Sequence, residues 1–136
     1  MSYGITTTLD QPFEQAVAAV REALADQGFG ILTEIDIAAT MKAKLDVDIE
    51  PQLILGACNP PLAHRALQME ESIGLLLPCN VVVRSAGGGR TTVEALDPQV
   101  MVALTGNDGL RVVADDAGAR LRAALGSLGP VPATAT

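Results

Sequence analysis

The chain has 136 residues, enough for one domain with a single sizeable core. Apolar residues make up 49%, yet Trp is absent and the aromatics are Tyr3, Phe13 and Phe29 alone. The core must therefore be aliphatic, and the composition argues against base stacking on aromatic platforms. A formal net charge of −7 with no basic cluster removes nucleic acid and anionic lipid from the expected partners.

No apolar run approaches the roughly 18 residues of a membrane span. Met1 to Ile5 carries neither a cationic start nor a long apolar stretch. The expectation is a cytoplasmic protein, not bound to a membrane, with both of its cysteines reduced.

Tyr3, Ile5, Thr7 and Leu9 share one parity, which predicts a first strand. Asp10 is the expected cap of a helix that holds Pro12 in its first turn and carries the stripe Phe13, Val17, Val20 and Leu24. Gly28 is placed as its left-handed stop. Phe29 to Ile35 predicts a second strand, and Asp36 caps a short helix over Ile37 to Leu45.

Glu50 to Cys58 predicts a third strand. Asn59-Pro60 then starts a helix running to about Glu71, with an Asx cap and proline in the first helical position. Leu75 to Arg84 predicts a fourth strand, turned by Gly87, Gly88 and Gly89 into a fifth over Arg90 to Leu96. Asp97-Pro98 opens a helical turn through Leu104. Asn107 or Asp108 starts a last helix, with Leu110, Val113, Ala117, Leu121 and Leu125 buried.

The predicted order is β-α-β(4)-α with small inserted helices. It implies an α+β, two-layer fold: an antiparallel sheet covered by helices on one face. One domain is expected over 1–128, followed by a flexible tail over 129–136.

The polar marks are Cys58-Asn59 and Cys79-Asn80, each at the lip of an aliphatic run, with the single histidine, His64, between them. Antiparallel pairing of the third and fourth strands brings Cys58 and Cys79 to the same end of the sheet. A parallel crossover separates them by more than about 15 Å at roughly 3.3 Å per residue. Neighbouring thiols suit a soft metal, a redox pair or a thiol-lined ligand pocket, whereas free cysteine also serves as a small buried hydrophobe. There is no Cys-x-x-Cys zinc pattern.

Asn59 reads as a helix cap and Asn80 as a side chain that could stitch a loop. His64 shares its helix side with Gln68 and Glu71, which predicts a solvent-facing ring. Glu34 and Asp36 have one parity; the pair reads as an exposed strand face ending in a cap, with acid–base or cation chemistry as the alternative. Asp97 before Pro98 reads as a turn initiator. Met41, Met69 and Met101 fall at core-like positions.

Three stretches carry a resemblance. They are Gly28-Phe29-Gly30-Ile31-Leu32-Thr33-Glu34-Ile35-Asp36, then Ile54 through Ala63, then Ile73 through Val83. They closely resemble the bacterial and archaeal family known as domain of unknown function 302, over nearly the whole chain from Tyr3 to about Gly129. The resemblance implies a small, often stand-alone domain with a fold similar to that of the TATA-binding protein. It brings no established activity, and fold similarity to a DNA binder does not license DNA binding. Both Cys-Asn marks belong to the family pattern; His64 stands at no fixed family position.

The expected function is a small ligand-binding or sensing domain, with Cys58, Asn59, Cys79 and Asn80 as the candidate site for a small molecule. The alternatives are a thiol-dependent redox or soft-metal protein using Cys58 and Cys79, and a structural homodimer. No Ser–His–acid pattern and no glycine-rich cofactor fingerprint appears, so no catalytic residue, metal centre or cofactor is assigned.

Overall fold

A computed structural model describes residues 2–129. The expected tail over 129–136 lies outside the described residues from 130 onward. Five strands, β1 (Gly4–Leu9), β2 (Gly30–Asp36), β3 (Gln52–Cys58), β4 (Cys79–Gly87) and β5 (Arg90–Leu96), form one sheet in the order β1-β5-β4-β3-β2. Every neighbouring pair is antiparallel. The helices are α1 (Phe13–Asp26), α2 (Ile37–Leu45), α3 (Pro60–Met69), α4 (Gln99–Thr105) and α5 (Arg111–Gly126). Short 3-10 turns cover Glu71–Leu76 and Asp108–Leu110.

The strand register puts Leu9, Leu55, Ala57, Val81, Val83, Val93 and Ala95 on one face, where they meet Val20 and Leu24 of α1 and Leu121 and Leu125 of α5. Two long helices on one side of an antiparallel sheet is the arrangement the apolar stripes predict. A second cluster joins Leu62 and Ala66 of α3, Ile73, Met101 and Val102 of α4, and Val113, Ala114 and Ala117 of α5. The first half of α5 thus packs on α3 and α4, and its second half on α1 and the sheet.

Several local expectations hold. The Asp36 carboxylate accepts the Ala39 N–H at 2.9 Å, and Asn59 Oδ1 accepts the Leu62 N–H at 3.2 Å, so both are caps. Gly28 follows α1 with φ of 85°, and the β4–β5 hairpin turns through positive-φ Gly87, Gly88 and Gly89.

Others are corrected. Asp10 does not cap α1: Pro12 occupies the cap position, with no side-chain bond to the helix, and Asp10 lies exposed two residues earlier. α3 ends at Met69, not near Glu71. Leu75 and Leu76 belong to a 3-10 turn, and β4 starts only at Cys79. Pro78 has no N–H to donate, so a strand paired on both sides begins after it. The same reasoning places the start of β3 after Pro51. α5 begins at Arg111, after a 3-10 turn in which Asn107 Oδ1 accepts the Gly109 N–H at 2.9 Å.

Among the described residues no helix is long and apolar enough to cross a membrane.

A thiol-lined cavity at the end of the central strands

β3 and β4 are the sheet's central pair on this side, and Ala57 stands opposite Cys79. Cys58 follows Ala57 and is paired with Gly30 of β2 on its other side. The two cysteines therefore occupy the same end of adjacent strands. Cys79 points to the helix-covered face and is 8% exposed, whereas Cys58 is half-buried. Burial, with a smaller contribution from the neighbouring Cys58, pushes the Cys79 thiol up to about 11. A thiol of that kind stays protonated at neutral pH and is a poor nucleophile.

At Asn59 the chain turns from β3 into α3. Its side chain caps Leu62, and its backbone carbonyl accepts the Ala63 N–H at 2.9 Å. Pro60 and Pro61 supply no N–H. Every orphan donor of this helix start is thus either absent or occupied. The two prolines and the Asx cap therefore leave no free backbone N–H in the first turn of α3 to reach the neighbouring Cys58.

Two glycines shape the surroundings. A Cβ on Gly28 would approach Asn59 Nδ2 to 3.0 Å and Arg120 Nη1 to 3.6 Å, so this residue both ends α1 and admits the Asn59 amide. Arg120 is held there by Asp116 at 2.8 Å and the Gln27 carbonyl at 3.1 Å. Gly56 lies on the opposite face of β3, where a Cβ would run into Thr33 Oγ1 and come within 2.8 Å of Pro78 Cγ. Its bareness lets Pro78 settle on the strand and so sets the start of β4.

Where the two core clusters meet, a cavity of about 30 Å³ remains. Cys58, Asn59 and Cys79 border it together with Phe29 and Ala57 from the sheet side, Leu62 and Ala66 of α3, Met101 of α4, and Val113 and Ala117 of α5. Asn59 is the one polar side chain besides the thiols. The lining is built mainly of small and aliphatic residues, so the space offers packing rather than hydrogen bonds.

Asn80 is elsewhere. Strand alternation turns it to the face without the long helices, opposite Gly56, where it borders a larger depression of about 410 Å³ with Thr6, Val82 and Glu94. On that face Arg84 bonds the Glu94 carboxylate and, with Thr6 Oγ1 donating at 3.0 Å, holds it below the usual carboxylate range. The two Cys-Asn marks look alike in sequence but are not equivalent in space: Asn59 borders the thiol cavity and Asn80 does not.

The remaining candidates disperse. His64 is exposed on α3. Glu34 pairs with Arg21 of α1, and Asp36 is consumed as a cap. Asp97 accepts the Gln99 N–H at 3.0 Å as a turn initiator does. Of the methionines expected at core-like positions, Met101 is 3% exposed but Met69 is 40% exposed, because the end of α3 faces outward. Among the described residues no group of three or more His, Cys, Asp or Glu side chains gathers. The sequence reading missed Met101, Phe29 and Ala117 as cavity neighbours; their core-like spacing was visible, but not the seam they border.

No curated protein matches the chain. It is similar in structure to an uncharacterized conserved DUF302 protein from Bacillus stearothermophilus, with a TM-score of 0.86 and 27% identity over 94% of this chain and 99% of the other. The family model described as "Domain of unknown function DUF302" matches residues 5–128. With that match spanning both core clusters and the cavity between them, the chain belongs to the DUF302 family.

Proposed function

We propose that the protein is a small ligand-binding or sensing domain whose site is the cavity bordered by Cys58, Asn59 and Cys79. The observation that carries this reading is the gap itself. Interiors pack to the density of organic crystals, and a space of about 30 Å³ left at the seam of the two clusters is where a ligand of a few heavy atoms gains contacts without backbone rearrangement. Cys58 and Asn59, both half-buried, border this space. Asn80, on the other face of β4, stands outside the site.

The test is amide NMR of the labelled protein against a panel of small apolar and thiol-reactive compounds, alongside native mass spectrometry of the protein as purified. Binding should shift the amides of Phe29, Asn59, Leu62 and Ala117. Responses confined to the Asn80 face would sink the reading.

A second reading is a redox or soft-metal protein using the same two cysteines. It is favoured by their placement at one end of adjacent strands and by the influence of Cys58 on the Cys79 thiol. The assembly reading, a homodimer, draws support from edge strand β2, where Leu32 is 64% and Ile35 46% exposed. Sedimentation analysis tests it, and a monomer at high concentration would remove it.

A further inference from the structure

Three sulfur-bearing residues, not two, line the cavity. Cys58 at the end of β3, Cys79 at the start of β4 and Met101 in the first turn of α4 all border the same space of about 30 Å³. The remaining lining is apolar except for Asn59, whose side-chain oxygen is already bonded to the Leu62 N–H. We propose that this cavity binds one Cu(I) ion through Cys58 Sγ, Cys79 Sγ and Met101 Sδ. The inference rests on the reading of the cavity as the ligand site and names the class of ligand.

The donor set chooses the ion. Two thiols and a thioether, with no oxygen or imidazole donor among them, suit a soft metal of low coordination number. Zinc favours four ligands from nitrogen, sulfur and oxygen, and calcium or magnesium requires oxygen. A space of about 30 Å³ accommodates a single ion without displacing the lining. Its apolar walls keep water from competing as a ligand, and the net charge of −7 favours the approach of a cation.

On binding, the S–H bonds of Cys58 and Cys79 break and two protons leave to solvent. Each freed electron pair forms a Cu–S bond, and Met101 donates a sulfur lone pair. Copper stays in the +1 state, so nothing is oxidised or reduced. Because protons are released, affinity should rise with pH.

The reduced protein is titrated anaerobically with Cu(I) in competition with a chromogenic Cu(I) chelator, and the loaded protein is examined by copper X-ray absorption. One Cu(I) per chain with three sulfur neighbours is expected. Met101→Leu preserves volume, so the copper-free melting temperature should hardly move, but the sulfur count should fall to two. Its affinity should drop by at least about tenfold, the smallest loss typical even of outer-sphere changes. Cys58→Ser, at a half-buried position, should abolish tight binding. Oxygen or nitrogen neighbours around copper, or unchanged affinity in Met101→Leu, would overturn the three-sulfur site. If Cu(I) does not bind tightly while the cavity amides respond to the small-molecule panel, copper is wrong and the ligand cavity stands. If neither probe registers, both readings fall.

Discussion

Cys79 faces Ala57 across the central strands β3 and β4, and this one register decides where both thiols stand. A shift by one residue would turn Cys79 out to the open face and Asn80 into the core. The apolar neighbours Val81 and Val83, both fully buried, hold the register by demanding the same face.

The first consequence is a difference in reactivity. In the native protein at neutral pH a thiol reagent should label Cys58 well before Cys79, because Cys58 is half-buried while Cys79 is buried and protonated. With a pKa of about 11, only about one Cys79 thiol in ten thousand is ionised at pH 7. Peptide mapping after timed alkylation reads the order, and equal rates would contradict the assigned burial.

Alkaline stability carries the same signature. Burial raises the Cys79 pKa in the folded state, so between about 9 and about 11 the folded chain holds a proton that the unfolded chain has lost. Stability from this group is complete below pH 9 and falls as pH rises toward 11, by roughly 2–3 kcal/mol. Urea denaturation of the wild type and Cys79→Ala at pH 8 and pH 10.5 isolates the effect. The variant should lose less stability over that interval than the wild type.

Gly56→Ala should destabilise the fold by about 1–3 kcal/mol, since the added methyl collides with Thr33 Oγ1 and crowds Pro78 on a strand paired on both sides. Combining it with Thr33→Ala should recover part of the loss. Additive effects in the double variant, measured by chemical denaturation, would show that the clash is not with Thr33.

Asn59→Ala removes the cap of α3 and should cost about 1 kcal/mol, whereas Asn59→Asp, which keeps an acceptor oxygen, should cost far less. Thermal unfolding distinguishes the pair. Similar losses in both would mean that the Asn59 Nδ2 group beside Gly28, and not the cap, carries the stability.

DNA should not be retained in a gel-shift at low salt, because a chain of net charge −7 repels phosphate more strongly as screening falls. Tight, salt-sensitive retention would contradict this.

Much of the architecture was legible in the chain because its causes are local. Period-two apolar runs, the stripe from Phe13 to Leu24, the glycine run at the hairpin, and the Asp36 and Asn59 caps act over a few residues and need no partner to be read. Strand starts were less legible at Leu75, since its hydrophobicity says nothing about which residue can donate to a ladder; the missing N–H of Pro78 settles that. The candidate site divided along the same line. Its cysteines and Asn59 were visible as motifs, but Asn80 looked equivalent until alternation in a paired strand turned it to the other face. Met101 belongs to the cavity only because α4 packs against α3 and α5, far along the chain from either cysteine. Local chemistry is written in neighbouring residues, whereas a cavity is the space left where separate elements meet, and only the tertiary packing determines that.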